Sequence, residues 1–120
     1  MSYMLLILEK HGDRKARGLE GGREAYAAMQ RYAERLKNHG LLSAASALRT
    51  DEHGVRLTQK SGKATIVDGP FTESKEMIGG FFLIDCKTKD EAIALAQECP
   101  AAAWATVEVR ETGTCFEDLA

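Results

Sequence analysis

Apolar residues in this chain occur as short runs and as helical stripes, separated by polar and glycine-containing segments. Short apolar or alternating runs predict β-strands, and they lie at residues 3–8, 41–48, 55–59, 63–67, 79–86 and 105–111. Apolar spacing of i, i+3 and i+4 predicts an amphipathic helix over residues 23–38, ended by Gly40 as a left-handed cap. The charged, glycine-rich residues 11–22 show no period, so we expect a loop there.

A second helix is predicted by the capping box from Thr88 to Glu91, and it runs to Cys99 and ends at Pro100. The order of elements is therefore strand, helix, strand, hairpin, strand, helix, strand. This order predicts one domain over residues 1–120 with an α+β fold: a ferredoxin-like βαββαβ antiparallel sheet with two helices on one face and an inserted hairpin. We expect residues 112–120 to form a loosely ordered tail.

Two of the predicted strands are apolar on both faces, at Met4 to Leu8 and at Phe81 to Ile84. One face can pack on the helices, and the other needs a cover, because a solvated sheet face alternates with polar residues. A second copy of the chain is the simplest cover, so we expect a homodimer formed through the sheet face. The alternative is that residues 51–77 or 112–120 fold back over the sheet.

Composition narrows the function classes. The 120 residues are 44% hydrophobic and 28% charged, with a net charge of −2, which is typical of a soluble globule and gives no affinity for nucleic acid. No apolar run approaches the roughly 20 residues that cross a bilayer, so we expect no membrane partner. The cysteines form no CxxC pair, which favours reduced thiols and a cytoplasmic location.

Ligand patterns for metals and cofactors are missing from the sequence. The three histidines have no HxxxH or HxH spacing, so we expect no metal site: His11, His39 and His53. No GxGxxG or Walker pattern accompanies the glycines at residues 18–22, and we expect no cofactor. Of the larger aromatic residues, Tyr32 fits the core stripe, whereas Tyr26 and Trp104 are candidates to line a pocket.

The most informative segment is residues 68–76, DGPFTESKE. Asp68, Gly69 and Pro70 predict a rigid turn, with Gly69 supplying unusual backbone dihedrals, and Phe71 is expected to anchor the turn in the core. Two interpretations remain open. The segment either stabilises the fold, or it lines a cleft with catalytic candidates Asp68, Lys75 and Glu76 and ligand-binding candidates Asp68, Phe71 and Lys75.

This segment closely resembles the DGPFAETKE signature of DGPF-type proteins in the YCII-related family, with Thr72 and Ser74 as mild departures. Further similar segments lie at residues 3–7, 24–26, 79–84, 90–92 and 107–110. The resemblance implies a ferredoxin-like fold that dimerises into an α+β barrel, and it implies no particular reaction. Other YCII-related proteins carry a helix histidine and a partner aspartate proposed as an acid–base pair. Residues 24–27 offer none here, so we do not transfer that pair.

Three functions follow as hypotheses. The first is a small-molecule-binding or interaction module without catalysis, favoured by the lack of a recognisable nucleophile–base pair. The second is a cofactor-independent acid–base enzyme that acts on a small organic substrate in a cleft near the DGPF loop, an analogy from fold alone. The third is a transcription-linked partner protein.

Overall fold

A computed structural model of the chain describes residues 1–119. These residues form six strands, β1 (Ser2–Lys10), β2 (Leu42–Ala47), β3 (Val55–Lys60), β4 (Lys63–Asp68), β5 (Glu76–Asp85) and β6 (Thr106–Glu111). They also form the helices α1 (Asp13–Asn38) and α2 (Lys89–Gln97), and short 3-10 helices at Asp51–His53, Pro100–Ala103 and Glu117–Leu119.

The strands pair in two separate groups. An antiparallel sheet has the order β2-β5-β1-β6, and β3 and β4 form a hairpin that is inserted between β2 and β5. Without the hairpin, this is the strand order of a ferredoxin-like βαββαβ unit. The α+β fold predicted from the sequence is confirmed, including the inserted hairpin.

The hydrophobic core lies between the two helices and one face of the sheet. Its buried members come from the odd-numbered positions of β1, from β5 and from both helices, and include Tyr3, Leu5, Ile7, Phe82, Ile84, Tyr32, Leu36, Ala92 and Ala96. Tyr32 is buried as expected, and its hydroxyl donates to the carbonyl of Leu95 at 2.6 Å. That bond links α1 to α2, so both helices cover the same face of the sheet.

Both predicted helix caps form. Gly40 has φ 68°, its N–H donates to Lys37 O, and the N–H of Leu41 donates to Leu36 O, which together make a Schellman motif. At the start of α2, the N–H of Glu91 donates to Thr88 Oγ1 at 3.1 Å.

The prediction of a loop over residues 11–22 is wrong, because α1 begins at Asp13. Gly18 has φ 79° and ψ 177°, so the helix is interrupted there, and the first segment is separate from the amphipathic part. Charged side chains attach this first segment to the sheet, as described below. This first segment therefore has no hydrophobic period, and its glycines are residues that disfavour a helix in a sequence-based prediction.

On the face of the sheet opposite the helices, the central strands β1 and β5 are apolar and partly exposed, whereas β6 adds Glu108 beside Leu6 and Arg110 beside Met4. The register places Met4 beside Leu83 and Leu6 beside Phe81 on this face. We call these four residues, together with Leu8 and Ile78, the outer face. The hairpin does not pack over it, since Val55, Leu57 and Ile66 are 62%, 56% and 61% exposed.

The described part of the tail, residues 112–119, is exposed throughout and includes Phe116 at 66%; Ala120 lies outside the described residues. The chain measures 47 × 46 × 20 Å, with a radius of gyration of 16.3 Å. A compact domain of this length has a radius of about 14 Å. Among residues 1–119, no helix is long and apolar enough to span a membrane.

Candidate functional site

A cavity of about 440 Å³ lies between α1 and the sheet. Small and apolar side chains make up most of its wall, among them Ala25, Met29, Ala33, Ala45 and Phe82. Tyr26 and Trp104 supply the larger aromatic surface, as proposed from the sequence, and Glu9, Arg14 and Arg17 supply the charges.

An ion pair between Glu9 and Arg14 forms part of the cavity wall. Glu9 is 5% exposed, and its two carboxylate oxygens accept from Arg14 Nε at 3.0 Å and from Nη2 at 2.6 Å. The guanidinium also donates to Leu48 O at 2.8 Å and to Gly79 O at 3.1 Å. The hydrogen bond to the Glu9 carboxylate raises the pKa of Arg14, so the guanidinium stays charged. These bonds fix the first segment of α1 against β1 and β5.

Space for this ion pair is made by a bulge in β5. The register between β1 and β5 shifts after Ile7, which pairs with Gly80, whereas Leu8 pairs with Ile78 and leaves Gly79 unpaired. A Cβ at position 79 would lie 1.5 Å from Glu9 Oε2. Only glycine therefore permits the buried carboxylate here.

A second contact is made by the same helical segment. The guanidinium of Arg17 lies 5.4 Å from the ring centroid of Trp104, within the range of a cation–π interaction. Its charge is not neutralised by an ion pair within residues 1–119, so the charged groups lining the cavity carry a net charge of +1 (Arg14 and Arg17 against Glu9).

Near this cavity, the turn after β1 carries a histidine paired with an aspartate. His11 Nε2 lies 2.7 Å from Asp51 Oδ2, and the backbone N–H of Phe71 donates to the same oxygen at 3.0 Å. The side chains of His11 and Asp51 are 27% and 13% exposed. The Phe71 N–H, followed by the His11 side chain, lowers the pKa of Asp51. An ionised carboxylate only accepts, so the Nε2–H of His11 donates to Asp51, and Nδ1 is the ring nitrogen that Asp51 does not engage.

Comparison with known proteins identifies the family. A family model of the YCII-related domain matches residues 1–112. The chain belongs to the YCII-related family. A curated relative, an uncharacterized protein from Rhizobium meliloti, is 34% identical over 76 residues, covering 63% of this chain and 58% of its own length.

A solved structure similar to this YCII-related chain is 5-chloro-2-hydroxyhydroquinone dehydrochlorinase from Burkholderia phenoliruptrix, in complex with 2,5-dihydroxybenzoquinone. The TM-score is 0.55, with 17% identity and 94% of each chain covered. At this identity the similarity extends to the fold alone.

The site residues named from the sequence lie apart from the cavity of this YCII-related protein. Asp68 ends β4, Lys75 precedes β5 and Glu76 begins it, and all three are exposed. Within residues 1–119 they form no ion pair and no side-chain hydrogen bond with one another. Phe71 is 7% exposed, but it lies outside the main core cluster, under the guanidinium of Arg56 at 3.8 Å.

The backbone explanation offered for Gly69 also changes. Its φ is not among the positive values of this YCII-related chain, which occur at Gly12, Gly18, Gly40 and Gly62 among the glycines. The requirement at position 69 is steric instead. A Cβ there would lie 1.7 Å from the carbonyl oxygen of Asp51.

Sequence reasoning missed both sites, the Glu9–Arg14 ion pair and the His11–Asp51 hydrogen bond. Glu9 and Arg14 are close in sequence, but nothing in the pattern distinguishes a buried glutamate at the end of a strand from an exposed one. His11 and Asp51 are 40 positions apart and follow no recognised spacing. One signal was present in the alternation of β1, which places Glu9 on the same face as Tyr3, Leu5 and Ile7.

Proposed function

We propose that this YCII-related protein binds a small organic molecule in the cavity between α1 and the sheet. The observation that carries the proposal is the cavity of about 440 Å³, within the roughly 300–1,000 Å³ typical of ligand sites. Its apolar wall and few polar groups suit a ligand that is mostly hydrophobic. The net positive charge of its lining favours a ligand with an acidic group.

Trp104 provides a direct assay, because it is the one tryptophan in the sequence and it lines the cavity. A suitable first probe is 2,5-dihydroxybenzoquinone, the compound bound by the structurally similar dehydrochlorinase. We expect the probe to shift the Trp104 indole N–H signal and the backbone signals of Ala33, Ala45 and Gly79 in NMR titrations. A panel of related phenols and quinones extends the test to other members of the class.

A matched pair of variants locates the binding. Ala25 lines the cavity, whereas Ala16 is exposed on the same helix and does not. Ala25→Leu should fill the cavity and abolish binding, and Ala16→Leu should leave it intact. Binding that survives unchanged in Ala25→Leu would contradict the proposal, as would a panel in which no compound binds.

The second candidate function is cofactor-independent acid–base catalysis on the bound molecule. The specific observation is the His11–Asp51 contact of 2.7 Å on the turn between two residues of the cavity wall, Glu9 and Arg14. In this proposal Asp51 orients the imidazole and Nδ1 of His11 takes or returns a proton. We assign the role to this pair, rather than to Asp68, Lys75 and Glu76, because it is oriented by hydrogen bonds.

Deuterium incorporation tests this second candidate. The wild-type protein in deuterated water should exchange an acidic C–H of a bound phenol or enolisable ketone, and His11→Asn should abolish exchange while retaining binding. Equal exchange in wild type and His11→Asn would exclude the pair. Ligand binding without exchange in any protein would leave the first function and remove the second.

We also propose that the protein is a homodimer formed through the outer face. Support comes from the apolar side chains on that face and from the exposed hairpin and tail, which leave it uncovered within residues 1–119. A standard interface buries about 800 Å² on each partner. The resemblance of residues 68–76 to the DGPF signature supports the same arrangement.

A further inference from the structure

Asp51 is held at the start of a 3-10 helix, Asp51–His53, that connects β2 to the hairpin. Its Oδ2 accepts from both His11 and the Phe71 N–H, at 2.7 and 3.0 Å. One carboxylate oxygen thus joins the turn after β1 to the loop at residues 68–76. The Arg and Lys side chains of the hairpin and the loop make no ion pair with it among the described residues.

The loop is clamped onto this 3-10 helix by backbone contacts. The N–H of Gly69 donates to Gly54 O at 2.9 Å, and the N–H of Gly54 donates to Asp51 O at 3.0 Å. A Cβ on Gly69 would lie 1.7 Å from Asp51 O and 2.8 Å from Asp51 C. The two backbones are therefore in van der Waals contact, and the loop cannot shift without moving Asp51.

Side chains of the loop at residues 68–76 contact Arg56 of the hairpin. Phe71 is 7% exposed, and the guanidinium of Arg56 stacks on its ring at 3.8 Å. Arg56 also donates to Glu73 at 3.0 Å and to Ser74 Oγ at 3.3 Å. The ring anchors the loop, and the position of the Phe71 backbone N–H follows from that anchor.

We infer that the loop at residues 68–76 is a positioning device, in which the backbone N–H of Phe71, and not a loop side chain, fixes the Asp51 carboxylate that orients His11. This inference deepens the acid–base proposal above and rests on it for its chemical purpose. It gives the DGPF segment one role that unites its two interpretations, since a rigid turn becomes necessary for the geometry of a site.

Replacing the Phe71 amide by an ester removes the N–H and keeps the ring, and is done by incorporating phenyllactic acid at position 71. The control is phenyllactic acid at Phe116, which is 66% exposed and whose N–H donates no hydrogen bond within residues 1–119. The readout is the titration midpoint of the Asp51 side-chain carboxyl carbon, followed by NMR. A hydrogen bond to the ionised form lowers a carboxyl pKa, so the midpoint should move upward in the Phe71 ester alone.

Phe71→Leu separates the N–H from the ring, because it retains the donor and an apolar side chain. It should move the Asp51 midpoint less than the Phe71 ester does. In the unmodified protein, a scalar coupling across the hydrogen bond, between the Phe71 amide nitrogen and Asp51 Cγ, should also be detectable; this needs no variant. An absent coupling, an unmoved midpoint in the Phe71 ester, or equal shifts in both esters would overturn the inference. If the midpoint moves as expected but His11→Asn retains full deuterium exchange, only the acid–base proposal fails.

Discussion

Gly79 and Glu9 occupy mutually dependent positions, since a Cβ on residue 79 would lie 1.5 Å from Glu9 Oε2 and 2.8 Å from Arg14 Nη2. The bulge in β5 therefore lies next to the buried Glu9–Arg14 ion pair, which attaches α1 to the sheet. Glycine is required at position 79 because of the contact to Glu9 on β1, and not because of the backbone dihedrals of Gly79.

Gly79→Ala should therefore displace the Glu9–Arg14 pair and destabilise the protein. Overpacking a filled site costs about 1–3 kcal/mol, and separating a buried ion pair adds to that cost. Gly22→Ala is the matched control, because a Cβ there meets no atom within 4 Å. Chemical unfolding measures both, and equal stability of the two variants would contradict this account.

Gly69→Val should be more damaging than its position in an exposed loop suggests. The colliding atoms belong to the Asp51 backbone, which cannot rotate away as a side chain can. We expect a loss at or above the upper end of about 1–3 kcal/mol, together with a disturbed His11–Asp51 contact. Thermal melting gives the first quantity and the His11 ring signals in NMR give the second. A variant with wild-type melting would show that the loop can move independently of Asp51.

Lys75→Ala and Glu76→Ala should each leave stability within about 0.5 kcal/mol, because both side chains are exposed. Neither should change binding of a ligand in the cavity. Thermal melting with and without 2,5-dihydroxybenzoquinone tests both statements. Loss of ligand-induced stabilisation in Lys75→Ala would show instead that the exposed loop side chains form the binding site.

Asp51→Asn should change how stability depends on pH. The folded-state pKa of Asp51 is below the unfolded value of about 3.9, so its contribution is fully present above the unfolded pKa and is lost as pH falls through the folded pKa. The stability difference between wild type and Asp51→Asn should therefore shrink on acidification below pH 4. Urea unfolding at pH values from 7 down to the acid-unfolding range measures this stability difference, and Asp118→Asn in the exposed tail is the control. A difference that does not depend on pH would contradict the lowered pKa of Asp51.

Leu6→Lys should convert a dimer into a monomer while retaining the fold. Leu6 and Leu83 both lie on the outer face, away from the helix-covered core, so a charge there affects the dimer rather than the interior. The control Ala16→Lys adds the same charge at an exposed position on α1. Light scattering should give twice the chain mass of 13.1 kDa for wild type and control. A monomeric wild type across micromolar to millimolar protein would refute the dimer.

The sequence by itself determined the features that depend on local physics. The Thr88 cap and the left-handed Gly40 depend on neighbouring residues alone, and both form as predicted. The reciprocal bond of the capping box differs, because the Glu91 carboxylate accepts from the N–H of Lys87 instead of Thr88. The order of strands and helices followed from hydrophobic period, and the two strands that are apolar on both faces are the central strands of the sheet, β1 and β5. The segment at residues 68–76 indicated the YCII-related family by resemblance, because a match of residues along the chain needs no tertiary structure.

Only the tertiary structure decided which partners the charged side chains contact. Arg14 reaches Gly79 across 65 positions and His11 reaches Asp51 across 40, and no spacing along the chain encodes either contact. The first segment of α1 escaped prediction because charged side chains attach it, and such attachment has no hydrophobic period. The sequence predicted a role for the charged side chains of the DGPF segment, whereas the contact to Asp51 is made by the backbone N–H of Phe71. Every residue except proline carries such an N–H, so only the fold determines which one points at Asp51.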